Sequence, residues 1–370
     1  MKNLETLIQE LCPDGVEFVK LGDCCSFKRG TTITAKNAIP GDVPVLAGGQ
    51  KPAYYHNEAN RTGETIVVAG SGAYAGFVSY WTIPVFLSDS FSVEPDDRLV
   101  VKFVYYFLKN IQQKIFATKK GSGVPHVHGS SIEKFEIPLP PIKVQTEIVR
   151  ILDKFTSLEA ELEAELDCRK RQYEYYRDKL LSFDNVGGQE VEWKTLGELA
   201  EIGTGSSNTK DGLSEGLYPF YTRGQEVLRK NEYEFDDEAI ITAGDGVGVG
   251  KVIHYVKGKY ALHQRAYRFK PGDLLNARFL YFYMTSTFYK YVCGNSVSSS
   301  VSSLRKPRLL KYPIPLLPMQ EQIRIVSILD RFESLTTSLQ SGLPAEIAAR
   351  RQQYEHYRDK LLTFKRKGAA

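Results

Sequence analysis

Two stretches of the chain carry an apolar seam at spacings of three and four. In the first, Ile148, Leu152, Phe155, Leu158, Leu162, Leu166, Tyr173, Tyr176 and Leu180 share one helical face, interrupted once by Arg169. The second repeats it with Ile325, Leu329, Phe332, Leu335, Leu339, Ile347, Tyr354, Tyr357 and Leu361. Such a seam, about 40 residues long, exceeds an ordinary core-facing helix and predicts two long coiled-coil helices, over 142–183 and 319–364. Elsewhere the apolar runs are short and β-rich: TIVVA at 65–69, GFVSYW at 76–81, AIITA at 239–243 and KVIHYV at 251–256. Gly, Pro and Asp bound them, and each set leads to one aromatic helix (FVYYFLKN at 103–110, FLYFYMTS at 279–286) and a polar loop. Two α+β domains are predicted, over 1–141 and 184–318, with 365–370 left as a tail.

The chain is an internal tandem repeat. QYEYYRDKLLSF at 172–183 returns as QYEHYRDKLLTF at 353–364, and PPIKVQTEIVRILDKF at 140–155 returns as LPMQEQIRIVSILDRF at 317–332. The first pair is shifted by 181 residues and the second by 177, so the second copy holds four extra residues. Gly342 and Pro344 place that insertion at a break in the second helix. The register extends through the domains: GVEFVKLGD, ending at Asp23, matches EVEWKTLGE, ending at Glu198, and GGQ at 48–50 matches RGQ at 223–225. A Gly-rich turn recurs as AGSGAYAG at 69–76 and AGDGVGVG at 243–250. IPLPP at 137–141 and PIPLLP at 313–318 act as rigid punctuation before each helix. A domain's two ends usually lie close together, so the first helix leads to the second domain and the second helix returns. The fold class predicted is therefore α+β: two similar globular domains separated by an antiparallel pair of long coiled-coil helices, related by a pseudo-twofold axis. At about 1.5 Å per residue the spacer is roughly 60 Å.

Composition alters this picture little. The 370 residues are 42% hydrophobic and 25% charged, with a formal charge of only +4, and no segment is strongly basic. A nucleic-acid partner would not show in bulk charge, and the chain alone is expected to bind DNA weakly. No run of 18 apolar residues could span a bilayer, and MKNLETLIQEL carries charges where a signal peptide is apolar, so a cytoplasmic protein is expected. Cys12, Cys24, Cys25, Cys168 and Cys293 are scattered and odd in number, and read as reduced thiols.

The search for catalytic chemistry ends without a site. There is no Walker A motif, and neither Gly-rich turn has the GxGxxG spacing between a strand and a helix; hairpin or recognition loops are expected there, with a cofactor cradle as the lesser reading. The amino-methyltransferase signature is missing. His126 and His128 form an HxH that nothing nearby completes as a metal site. The acidic groups Glu94, Asp96 and Asp97, and EFDDE at 234–238, read as solvated strand ends. No catalytic residue, metal or cofactor is expected.

Two variable domains alternating with two repeated helices, PLPP and PLLP exits, EIVRILD and EQIRIVSILDRF, then YxxYRDKLL, together resemble the specificity subunit of type I restriction-modification enzymes. The resemblance covers nearly the whole chain. It implies a non-catalytic subunit with two target recognition domains, each reading one half of a bipartite, asymmetric double-stranded DNA site. The helices would set the spacing and recruit two methyltransferase subunits, which carry S-adenosylmethionine and the chemistry; motor-nuclease subunits would complete the complex. Two other readings remain: a DNA methyltransferase binding S-adenosylmethionine through its Gly-rich turns, and a coiled-coil scaffold unconnected with DNA.

Base edges and phosphates call for Arg, Lys, Asn, Gln, Ser or Thr on loops. In the first domain the candidates are Lys28, Arg29, Thr31, Thr32, Gln50, Lys51, Ser71, Lys119, Lys120, His126 and His128. In the second they are Thr204, Ser206, Asn208, Lys210, Arg223, Gln225, Asp245, Gln264, Arg265, Asn295, Ser298, Arg305 and Lys306. Pairs that coincide in both repeats, Gln50 with Gln225 and Gly72 with Gly246, suit a structural role equally well. Tyr173, Tyr176, Tyr354 and Tyr357 are expected in the helix seam, and Arg177 and Arg358 among the exposed charges.

Overall fold

The two repeats fold into the same succession of elements. A computed structural model describes residues 2–121, 123–183, 191–294, 303–338 and 341–368. It divides into two units, Met1–Leu162 with Ile347–Ala370, and Glu163–Glu346. The first contains α1 (Lys2–Leu11), β1 (Glu17–Lys20), α2 (Leu21–Cys24), β2 (Cys25–Arg29), β3 (Val43–Leu46), β4 (Tyr54–His56) and β5 (Thr65–Ala69). It continues with β6 (Val78–Trp81), β7 (Phe86–Leu87), β8 (Ser90–Pro95), α3 (Val101–Asn110), α4 (Gln112–Ala117), α5 (Gly129–Ile132) and β9 (Glu136–Leu139). Then comes the long helix α6 (Ile142–Leu180), shared with the second unit. The second unit adds β10 (Glu192–Thr195), α7 (Leu196–Leu199), β11 (Ala200–Thr204), β12 (Tyr218–Tyr221), β13 (Leu228–Lys230), β14 (Phe235–Ala243), β15 (Ile253–Leu262) and β16 (Ala266–Pro271). It closes with α8 (Ala277–Cys293), α9 (Lys306–Leu310), β17 (Pro313–Leu316) and α10 (Met319–Thr337), and α11 (Leu343–Leu361) belongs almost wholly to the first unit.

The sheets differ in one respect. The first unit has a four-stranded sheet, β2-β8-β5-β6, and a separate three-stranded one, β4-β3-β7; the second has a single six-stranded sheet, β11-β16-β14-β15-β12-β13. Pro84 explains the split. It lies between β6 and β7, where its missing N–H would interrupt a ladder. The second unit has no proline in the matching stretch, and the ten-residue β15 pairs antiparallel with β14 and parallel with β12. In each unit the Gly-rich segment forms the hairpin turn, joining β5 to β6 and β14 to β15, with Gly72 (φ 83°) and Gly246 (φ 81°) in the left-handed region that favours glycine. The prolines before each helix do more than punctuate: β9 pairs with β1 and β17 with β10 in two-stranded ladders that tolerate Pro138 and Pro315.

Each globular part is seated on the start of one long helix and the end of the other. The first unit's core includes Ile148, Leu152, Leu361 and Leu362, and the second's includes Leu181, Ile325 and Leu329. Helix contacts within each unit are antiparallel. In the first, Phe155 stacks on Tyr357 (5.4 Å between ring centres) and Glu159 pairs with Arg351 (2.5 Å). In the second, Phe332 stacks on Tyr176 at 5.8 Å and meets Tyr173 at 6.4 Å. The second helical block is interrupted between Thr337 and Leu343; a Cβ on Gly342 would lie 2.6 Å from the Ser334 carbonyl, and Pro344 sits in the first turn of α11, where its missing N–H is harmless. Arg177 and Arg358 are not solvent-facing charges. Their side chains are only 19% and 18% exposed, each lying over the tyrosine four residues before it, Tyr173 or Tyr354.

A buried glutamine locks each helix start to its domain. Gln145 accepts from the Val100 N–H (2.8 Å) and donates to the Arg98 and Pro140 carbonyls (2.9 and 2.8 Å). Gln322 does the same with Asn276 N–H (2.8 Å), Leu274 O (3.0 Å) and Leu317 O (2.8 Å). Both are fully buried. Beside them, Lys102 pairs with Asp153 (2.8 Å) over the Tyr80 ring, while its counterpart Arg278 pairs with Asp330 (2.7 Å) and Glu333 over Tyr255, Tyr281 and Phe282. Replacing either glutamine with alanine leaves three backbone groups without their partner, each worth about 1–3 kcal/mol where water cannot reach it. Gln145→Ala and Gln322→Ala should each lower stability by about 3 kcal/mol in urea unfolding; a loss below about 1 kcal/mol would mean that water replaces the side chain.

Candidate nucleic-acid interface

In the second unit, five chain segments meet beside the hairpin turn after β14. The Gly205 backbone runs so close to Leu262 that a Cβ would stand 1.9 Å from its carbonyl, and Gln264 N–H donates to Ser207 O (2.9 Å). On the other side Leu304 N–H donates to Gly244 O (2.8 Å), which brings the segment before Arg305 and Lys306 alongside. At the centre, Asp245 accepts from Arg223 Nη1 (2.7 Å, to Oδ1) and Arg265 Nη1 (3.2 Å, to Oδ2). Burial pushes the Asp245 carboxyl up, but the hydrogen bonds from Arg223 and Arg265 outweigh it and hold the group below the usual carboxylate range. Arg265 has a fixed backbone: its N–H donates to His263 Nδ1 (2.9 Å) and its carbonyl accepts from Gly244 N–H (2.9 Å). His263 is buried, and desolvation lowers its pKa, so the neutral ring serves as that acceptor.

The first unit gathers matching segments with different chemistry. Leu87 approaches Gly30 as Leu262 approaches Gly205; here a Cβ would stand 2.1 Å from the carbonyl. Val127 N–H donates to Gly70 O and Gly72 N–H to Pro125 O, both at 2.9 Å, so Pro125 to Val127 lie against the turn. The central carboxylate is now Asp89, which takes the Ser71 hydroxyl and faces Arg29 at 3.7 Å. Lys28 is tied to Glu94 (2.5 Å), and Lys119 donates to Ala73 O (3.0 Å) above the Phe116 ring. His126 and His128 stack with ring centres 6.4 Å apart, and His126 Nδ1 donates to Val124 O (2.7 Å).

The sequence candidates therefore fall into two groups. Arg29, Ser71, Lys28, Lys119, Arg223, Asp245 and Arg265 are held by neighbouring side chains or carbonyls. Lys51, Lys120, Lys210, Arg305 and Lys306 are exposed and form no ion pair among the described residues. Thr31, Thr32, Gln50, Thr204, Ser206, Asn208, Gln225, Gln264 and His128 are exposed too, with the Ser206 and Asn208 backbones held by Glu234 and Asp211 (2.8 and 2.7 Å). Asn295 and Ser298 lie outside the described residues. One reading needs correction: EFDDE is not a solvated strand end, because Asp237 pairs with the buried Arg268 and accepts from Tyr260 (2.9 Å).

Sequence reasoning missed Asp89, which takes the Ser71 hydroxyl, and Val247, an aliphatic side chain 97% exposed at the turn beside Asp245; Glu94, which pairs with Lys28, and Glu234, which accepts from the Ser206 N–H, are not the solvated strand ends expected. An apolar residue enclosed by glycines in GDGVGVG is the signal that could have marked Val247. Among the described residues no group of three His, Cys, Asp or Glu side chains could hold a metal ion, and no helix is long and apolar enough to cross a membrane.

With this geometry established, comparison with known proteins identifies the scaffold. The type I restriction modification DNA specificity domain matches twice, over residues 13–167 and 189–349. The specificity subunit of the type I restriction enzyme EcoR124I/EcoR124II from Escherichia coli is 30% identical over 407 residues, covering 98% of this chain and 97% of that one. Among solved structures, the type I restriction-modification S subunit of M. genitalium aligns over 94% of this chain and 96% of its own, with a TM-score of 0.65 at 20% identity. The HsdS subunit of Thermoanaerobacter tengcongensis aligns over 95% and 97%, with a TM-score of 0.51 at 18% identity. Two copies of one domain, matched along almost the full length, place this chain in the family of type I restriction-modification specificity subunits, which select the DNA sequence and leave catalysis to partner subunits.

Proposed function

We propose that each globular domain reads one half of a bipartite, asymmetric DNA site, and that the long helices set the spacing between the halves. One observation carries this reading. A single scaffold occurs twice, and corresponding positions differ: Arg223, Asp245 and Arg265 in one domain are Gly48, Ser71 and the buried Ser90 in the other. Similar frames with unlike side chains at matching positions suit a site whose halves differ. Two methyltransferase subunits assemble on the helices and supply S-adenosylmethionine chemistry, and motor-nuclease subunits complete the restriction complex. A methyltransferase activity of the chain itself is disfavoured, because the Gly-rich turns connect strand to strand, whereas a dinucleotide-type cradle needs a helix N-terminus. Cytoplasmic residence follows from this role, since the DNA it selects is there.

Exposed unpaired cations supply phosphate attraction, while the paired ones keep a fixed geometry for bases. Lys210→Ala and Lys306→Ala, in the complex with methyltransferase subunits, should each reduce the slope of log affinity against log salt by about one, without changing the bases recognised. Titrating DNA binding across salt concentrations measures this, and an altered motif would reassign the residue to base reading. With its near-neutral charge, the isolated chain should bind DNA weakly at physiological salt; nanomolar, sequence-specific binding by the lone chain would contradict the need for partners. For the spacing role, removing four residues from the middle of α6 shortens it by about 6 Å, equivalent to about two base pairs. Methylome sequencing should then show both half-sequences unchanged and a gap shorter by one or two base pairs; an unaltered gap would sink the ruler.

A further inference from the structure

Asp245 divides one carboxylate between two guanidinium groups, with Oδ1 taken by Arg223 and Oδ2 by Arg265. The two arginines are not equivalent. Arg223 is the more enclosed, at 39% exposure, and anchors Asp245 from within; Arg265 is 63% exposed and reaches outward. Only Nη1 of Arg265 is committed to the carboxylate, and its backbone is pinned on both sides by His263 and Gly244. Its Nε and Nη2 donors remain free among the described residues.

This arrangement is poorly suited to a simple phosphate contact. A carboxylate at hydrogen-bond distance weakens the attraction of a guanidinium for another anion, and phosphate contacts do not require one fixed rotamer. Base reading does, because a loose arginine must surrender its rotamer freedom on binding, and because guanine presents O6 and N7 at a spacing that two N–H groups of one guanidinium match. Lys210 and Lys306, which have no carboxylate partner, are the cheaper phosphate ligands.

Resting on the DNA-reading role proposed above, we infer that Asp245 is a positioning residue that holds Arg265 for bidentate recognition of a guanine, so that the half-site met by the second domain contains a guanine at a defined place. At the positions of Asp245 and Arg265 the first domain has Ser71 and Ser90, and its own carboxylate, Asp89, faces Arg29 at 3.7 Å without a hydrogen bond. The guanine assigned to Arg265 therefore belongs to the second domain's half-site.

The test is methylome sequencing in a methylation-free host that expresses the chain with its methyltransferase subunits, using the natural protein and three variants. Arg265→Ala should relax one guanine of one half-site by roughly tenfold to hundredfold and leave the other half unchanged. Arg265→Lys keeps the charge and loses the planar fork, so it should relax the same guanine while the salt dependence of binding stays as in the natural protein. Asp245→Asn should relax that position by a smaller factor, with no change in the unfolding midpoint of the complex. The inference is overturned if Arg265→Lys retains full discrimination, if Arg265→Ala weakens all sequences evenly or relaxes a base other than guanine, or if Asp245→Asn changes stability alone. A natural protein that yields no two-part motif would remove the DNA-reading role itself; a two-part motif whose guanines are indifferent to Arg265 would remove only this assignment.

Discussion

The joint between each globular part and its long helix depends on one buried glutamine, Gln145 in the first unit and Gln322 in the second. Gln145 and Gln322 sit fully buried at the starts of their helices, each satisfying three backbone groups from the domain and from the proline segment before the helix. A buried carboxamide with every partner in place fixes direction as well as position, since the cost of an unmet amide or carbonyl penalises other geometries. The ion pairs beside it, Lys102 with Asp153 and Arg278 with Asp330, act in the same joint through different side chains. Domain and helix start are thus tied together within each unit.

Against that fixed joint, the globular parts diverge freely. Pro84 splits one sheet into two, and its absence from the other repeat leaves a continuous six-stranded sheet. The loops keep their paths because close backbone approaches, Gly30 on Leu87 and Gly205 on Leu262, fix where they run. The charged groups on them are free to change. A central carboxylate occurs in both, but it arrives on different strand connections: Asp245 follows β14, and Asp89 precedes β8.

The architecture was legible because it rests on periodicity. Seam residues at threes and fours and the 181-residue repeat are one-dimensional signals, and Gly342 and Pro344 marked the helix break. What escaped depends on partners distant in sequence. Arg177 and Arg358 look like surface charges, yet their guanidinium groups lie over the rings of Tyr173 and Tyr354. Asp237 looks like a strand-end acid until Arg268, Tyr260 and the fold of the sheet bury it. The same applies to the interface: loop composition pointed to Arg223, Asp245 and Arg265 separately, and only the folded chain shows one carboxylate ordering both arginines.

The first unit's core contains Leu361 and Leu362, and Tyr357 stacks on Phe155. On the ribosome, therefore, the first domain to emerge is the last to be completed. The ring of Phe155 must wait for its partner Tyr357 until the whole second unit has been synthesised and α11 arrives. An interruption anywhere before the final helix leaves the core of the first unit without Leu361 and Leu362.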